Sequence, residues 1–197
     1  MSHYFTNDKQ EHDYRSIKYE LNGISYIFKT DAGVFSRTAV DFGSDLLIKT
    51  VIEDVKEGDF SSMIDMGTGY GVISIVLSDQ LDIDVTAVDV NLNALALTKQ
   101  NAKKHSVTTM SREDYNHADI NTDLYITNPP FRAGKQIVME IIEDSHRRLN
   151  EDGHFYMVVQ KKQGMPSYKK AVEELFGNVE IVSKAKGYYI LKAIRRI

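Results

Sequence analysis

The sequence predicts an α/β fold, a mostly parallel, doubly wound sheet that carries one antiparallel strand near its end. From Phe60 onward short apolar runs alternate with stretches of helical periodicity, the mark of parallel strands covered by helices on both faces. The first of these runs leads into a glycine turn, DMGTGYG at 65–71, where open α/β sheets place a ligand. The last two strands are separated only by residues 184–187. A parallel crossover needs a dozen residues or more, so that pair is antiparallel.

Taken in order, the opening dozen residues are polar and expected to be loose. Residues 17–21 and 24–28 flank Asn22-Gly23, a pair suited to the two positive φ angles of a type I′ turn, and predict an N-terminal β-hairpin. The segment TDAGVFS at 30–36 reads as a loop, and Leu47, Ile48, Val51, Ile52 and Val55 hold helical spacing after it. Strand 63–66 enters the glycine turn, helix 72–79 leaves it, and strand 84–88 follows. Asn91 or Asn93 caps a helix running to about His105. Strands at 107–111 and 124–127, a helix at 135–150, a strand at 154–159, a helix at 167–176 and strands at 179–183 and 188–194 complete the pattern.

A chain of 197 residues is expected to form a single domain spanning 1–197, with the hairpin and its loop in 1–36 and the core in 60–197. Its 42% hydrophobic and 26% charged residues are ordinary for a globular protein. No run approaches the roughly 20 apolar residues of a membrane span, and the polar start is unlike a signal peptide. With no cysteine present, the expectation is a cytoplasmic protein without a membrane partner. The six histidines show no ligand spacing, so no metal is expected. Net charge is −4, but residues 157–197 hold nine Lys/Arg against three Glu. That local excess of +6 leaves −10 for the remainder, an asymmetry that can give one face a positive potential.

The glycines at 67, 69 and 71 follow the spacing G-x-G-x-G. The dinucleotide fingerprint would need glycine where Val72 stands, which argues against a nicotinamide oxidoreductase. Asp89 ends the second strand about twenty residues on, the place where a carboxylate accepts from ribose hydroxyls. Asp114, after the third strand, is placed to accept from an exocyclic adenine amine. For both, a helix cap or turn role is the alternative. Two of the three prolines stand together in LYITNPPFRAGK, 124–135. Each proline holds the residue before it extended and has no N–H to donate. The segment is therefore stiff, with carbonyls and the Asn128 amide free to face outward.

On DMGTGYG, Asp89 and Asn128-Pro129-Pro130-Phe131, the chain resembles the class I S-adenosylmethionine-dependent methyltransferases. GVFSRTAVDFGSDLLI at 33–48 and GYYILKAIR at 187–195 make it similar to the small bacterial branch of 16S rRNA guanine-N2 methyltransferases. The resemblance runs from about Ser16 to the end. It implies a seven-stranded Rossmann-like sheet whose inserted strand is antiparallel, S-adenosylmethionine as cofactor, and 16S rRNA or the small ribosomal subunit as partner. The best-known ribosomal relatives carry two copies of this domain, and this chain has one. The resemblance assigns cofactor contacts to Asp65, Gly67, Thr68, Gly69, Gly71, Asp89, Val90, Asp114, Asn128 and Phe35, with the Phe35-Ser36 loop closing over the ligand. It assigns catalysis to Asn128, Pro129, Pro130 and Phe131. The Asn128 side-chain oxygen and the Pro129 carbonyl would take the two hydrogens of an exocyclic amine, and Phe131 would stack on a flipped base. A core role is the alternative for Phe131. Arg132, Lys135, Lys161 and Lys162 are candidate phosphate contacts, or simply solvated charges. A protein glutamine amide presents the same planar NH₂. That branch has Tyr after the prolines and a helical amino-terminal domain, where this chain has Phe131 and a hairpin.

Overall fold

In the computed structural model, which describes residues 12–196, strands β1 (Arg15–Leu21) and β2 (Ile24–Thr30) form the expected hairpin. Asn22 and Gly23 have φ of 50° and 79°, as a type I′ turn requires. The reading of the opening residues as loose falls on 1–11, outside the described residues.

The main sheet contains β3 (Ser62–Met66), β4 (Asp84–Asp89), β5 (Val107–Ser111), β6 (Thr122–Thr127), β7 (Leu149–Gln160), β8 (Glu180–Ala185) and β9 (Tyr188–Ile194). Their order is β5-β4-β3-β6-β7-β9-β8. Pairs among β3 to β7 are parallel, and β9 runs antiparallel to both β7 and β8. The sheet thus has seven strands with one inserted antiparallel strand, as the resemblance implied.

Neighbouring residues on a strand point to opposite faces, and both faces here are covered. Met63 and Leu124 join one core with the hairpin residues Tyr26 and Phe28, helix α1 (Phe42–Asp54) and helix α2 (Val72–Leu81). Ile64 and Tyr125 join the other, with helices α5 (Lys135–Arg148) and α6 (Met165–Phe176). This is why the strands read as continuous apolar runs. No helix among the described residues is long and apolar enough to cross a membrane.

Several bounds differ from the periodicity: β7 begins at Leu149, where the spacing carried the preceding helix to 150 and the strand began only at 154. Helix α3 (Leu92–Asn101) stops short of His105 because the Asn101 amide is drawn into tertiary contacts. It donates to Lys29 O and Tyr70 O at 3.0 and 2.9 Å and accepts from Lys29 N at 2.9 Å. A short helix, α4 (Arg112–His117), follows β5. At six residues it is too short to show a period.

Asp144 of α5, 1% exposed, ties that helix to the sheet. Its carboxylate accepts from Tyr115 Oη and Tyr125 Oη, each at 2.8 Å, and from Arg147 at 2.7 Å. Burial pushes this carboxyl up, but those bonds and the nearby Arg112 charge outweigh it and hold it below the usual carboxylate range. Its stabilising effect is therefore present above the unfolded pKa and lost as pH falls through the folded value. Asp144→Ala strands two tyrosine hydroxyls and is expected to cost about 3 kcal/mol in urea unfolding at neutral pH. A loss under about 1 kcal/mol would mean that the cluster behaves like a surface ion pair.

Candidate active site

Strands β3 and β6 are neighbours in register, with Met66 opposite Thr127. The Thr127 hydroxyl donates to Met66 O at 2.9 Å. The glycine turn and the Asn-Pro-Pro segment therefore leave the sheet side by side at its carboxyl edge, where α/β folds bind ligands.

The turn is pinned to the next strand: Gly67 N and Thr68 N donate to Val88 O at 2.8 and 3.0 Å. Gly67 and Gly69 have φ of 83° and 61°, the left-handed region that glycine enters without strain. They also border open space, since an added Cβ would meet nothing nearer than 3.8 Å at Gly67 and nothing within 4 Å at Gly69. A ligand can approach that backbone closely. Gly71 serves a different need. A Cβ there would lie 2.9 Å from Thr98 Cγ2, so this glycine lets α2 and α3 pack together.

Beneath the turn, Asp65 is fully buried. Its Oδ2 accepts from the Ser74 hydroxyl at 2.6 Å, and Thr68 Oγ1 lies 2.9 Å from that same hydroxyl. Its Oδ1 has no partner among the described residues. Burial pushes this carboxyl up to about 6, against the hydroxyl bonds that pull it down. An orphaned buried acceptor beside a glycine turn fits a ligand that brings its own cationic donor. The α-ammonium of the expected S-adenosylmethionine is such a group.

Asp89 accepts from Gly69 N at 2.8 Å through Oδ2 and from Asn91 N at 2.9 Å through Oδ1. Burial raises its pKa, with these backbone bonds opposing. Each oxygen keeps a lone pair for a ribose hydroxyl. Beside it Val90 is 71% exposed and Leu92 69%, an apolar surface suited to covering by a flat base. Asp114 sits in the first turn of α4, where its Oδ2 accepts from the Ser111 hydroxyl at 2.7 Å. The cap of that helix is Ser111, whose hydroxyl accepts from Asp114 N at 3.0 Å, so Asp114 is not itself the cap; its Oδ1 accepts no bond from the described residues. Phe35 is 66% exposed on the loop after β2.

At the Asn-Pro-Pro segment, Pro130 has φ −77° and ψ 75°, an inverse γ-turn in which Phe131 N donates to Pro129 O at 2.9 Å. The Pro129 carbonyl therefore has one lone pair occupied and one left. The Asn128 Nδ2 donates to Ser44 Oγ at 3.0 Å and approaches Asp41 Oδ2 at 3.4 Å. The Asn128 Oδ1 accepts no bond from the described residues. Phe131 is half-buried, tilted against Tyr168 at 5.7 Å between ring centroids. It combines a core contact with an open edge. Asp41 and Ser44, in the first turn of α1, were not singled out from sequence. Nor were Ser74 and Thr98, whose hydroxyl donates to Gly69 O at 2.8 Å. Among the described residues no group of three or more His, Asp or Glu could hold a metal ion.

The family described as Methyltransferase small domain matches residues 25–192. A Bacillus subtilis protein named Uncharacterized protein YbxB is 40% identical over 181 residues, covering 89% of each chain. The Ribosomal RNA small subunit methyltransferase C of Escherichia coli O7:K1 is 27% identical over 184 residues, 90% of this chain and 51% of that one. Among solved structures, a T. thermophilus 16S rRNA N2 guanine methyltransferase (RsmC), in complex with AdoMet and guanosine, superposes with a TM-score of 0.81 at 24% identity. The match covers 93% of this chain and 51% of that one. The chain thus spans about half the length of these two larger relatives.

A raised folded-state pKa at Asp65 means that ionising it opposes folding as pH rises from the unfolded value through about 6. A ligand ammonium beside it favours the ionised form, so binding releases a proton. Calorimetry should show the affinity for S-adenosylhomocysteine rising from about pH 5 to about pH 7.5, with the slope flattened in Asp65→Asn. An equal slope in that variant would assign the proton to another group.

Proposed function

We propose that this chain, which belongs to the Methyltransferase small domain family, is an S-adenosylmethionine-dependent methyltransferase of ribosomal RNA. We propose further that its acceptor is an exocyclic amino group, guanine N2 in 16S rRNA. The carrying observation is the pair of acceptors beside the glycine turn: the Asn128 Oδ1, which accepts nothing from the described residues, and the remaining lone pair of Pro129 O.

An exocyclic amine is a weak nucleophile because its lone pair is delocalised into the ring. Two acceptors that bind its two hydrogens turn that lone pair out of the ring plane and favour the positive charge that builds on nitrogen. S-adenosylmethionine, when bound, supplies a methyl carbon already activated by an adjacent sulfonium. The remaining work is alignment, which for well-placed groups is worth effective molarities of roughly 10⁵ M or more. As the N–C bond forms and the S–C bond breaks, the alkylated nitrogen becomes acidic and gives its proton to water. No protein base is needed. Asp65, the glycine backbone, Asp89 and Val90 hold the cofactor in this reading, Asp114 reads the adenine amine, and Phe35 covers the ligand. Phe131 offers its open edge to the base.

Guanine as acceptor is favoured by the likeness to the T. thermophilus enzyme, named for N2 methylation and solved with guanosine. RNA is favoured by the charge layout. Arg132, Lys135, Lys161 and Lys162 are exposed around the carboxyl edge of β6 and β7, and no acidic partner bridges them among the described residues. Such a rim suits phosphates.

The test is transfer of a labelled methyl group to 16S rRNA or small subunits, followed by digestion to nucleosides. Label is expected in N2-methylguanosine. Label in the glutamine of a ribosomal protein instead would overturn the RNA reading while keeping the amine chemistry. Asn128→Ala is expected to lower kcat by about 10²-fold or more, with cofactor affinity by calorimetry within a few-fold. Full activity in that variant would remove Asn128 from its acceptor role.

A further inference from the structure

We infer that Asp41 and Ser44 form a clamp that fixes which way the Asn128 amide faces, making them positioning residues for amine transfer. This rests on the reading of Asn128 as an acceptor. A primary amide can sit either way round, and only one orientation presents oxygen to a substrate amine. Here the NH₂ end is held by two oxygens, Ser44 Oγ at 3.0 Å and Asp41 Oδ2 at 3.4 Å. A carboxylate has no proton to give. Turned the other way, the amide would set its oxygen against that carboxylate and lose the Asp41 bond, whereas the Ser44 hydroxyl can accept from or donate to either end, so Asp41 sets the orientation and Ser44 holds it. The orientation that survives leaves Oδ1 free for the substrate.

The clamp is rigid for reasons built into the first turn of α1. Asp41 is the N-cap, and the same Oδ2 accepts from Ser44 N at 3.0 Å, so the helix start and the amide share one oxygen. Ser44 is 3% exposed. Gly43 allows the turn to lie directly on β9, since a Cβ there would be 2.9 Å from a Tyr188 ring carbon. Phe42 packs on the same ring at 5.3 Å between centroids. The helix N-terminus, a partial positive charge, would by itself oppose the cation forming on the substrate nitrogen. The Asp41 carboxylate, at the N-cap itself, offsets it.

The deciding experiment pairs nuclear magnetic resonance with kinetics on the full chain. The side-chain amide of Asn128, identified by its disappearance in Asn128→Ala, is expected to exchange slowly with water in the wild type and faster in Asp41→Ser and Ser44→Ala. Serine is itself a good N-cap, and its shorter side chain carries no carboxylate to reach Asn128, so Asp41→Ser preserves the helix start while removing that contact. Both variants are expected to lower kcat about tenfold, the loss of one oriented hydrogen bond, with RNA KM and cofactor affinity little changed. In an Asn128→Ala background neither should have a further effect, because both act through that amide. Free exchange in the wild type overturns the clamp. So does an unchanged kcat in both variants, or full additivity with Asn128→Ala. Should the wild type transfer nothing to RNA, the functional reading fails, and amide exchange measured without substrate still decides the clamp.

Discussion

The site depends on one register: Met66 of β3 beside Thr127 of β6. Parallel strands end on the same edge of a sheet, so two adjacent in-register strands deliver their loops to the same point. One loop is a glycine turn pinned to β4, the other a proline-stiffened strand end. Their side chains cannot exchange duties, because a slip of one residue would turn every side chain of β6 to the opposite face. Asp65 would then face a different residue, and Asn128 would leave the edge. The Thr127 hydroxyl bond to Met66 O reinforces this register at the last pair before the loops.

Around that point the charges divide. Asp65 and Asp89 both have carboxyl pKa values pushed up by burial, which makes each a cost to the free fold, and on the proposed reading both face the cofactor. The rim at the ends of β6 and β7 carries lysine and arginine. On the proposed reading the carboxylates serve a cationic, hydroxyl-rich cofactor and the basic residues a polyanion, with the Asn-Pro-Pro segment where the two meet. Deeper in the fold, Asp144 is buried as well, but it is saturated with donors and its pKa is lowered. Asp65, by contrast, keeps an oxygen with no partner among the described residues.

Much of this was legible in the sequence. The hairpin turn, the parallel core, the antiparallel final pair and the convergence of the glycine turn with Asn128 all follow from local signals: positive-φ residues, periodicity, loop length, proline. The cap of α4 falls on Ser111 and not on Asp114, the residue for which a cap role was the alternative. The roles of Asp41 and Ser44 were not legible. An N-cap is a local signal, but its contact with an amide more than eighty residues away exists only once the sheet is built. The end of α3 at Asn101 was hidden for the same reason, since its side chain is claimed by β2 and the glycine turn. The occupied lone pair on Pro129 O is a backbone torsion at Pro130, which residue identity does not specify.

The most direct measurement is mass spectrometry of rRNA nucleosides from cells with and without this gene, with the strain complemented by the wild-type or the Asn128→Ala chain. The expected result is an N2-methylguanosine in 16S rRNA that disappears on deletion and returns only with the wild-type chain. An unchanged N2-methylguanosine content on deletion, or its return with Asn128→Ala, would contradict the assignment of guanine N2 to the acceptors at Asn128 and Pro129.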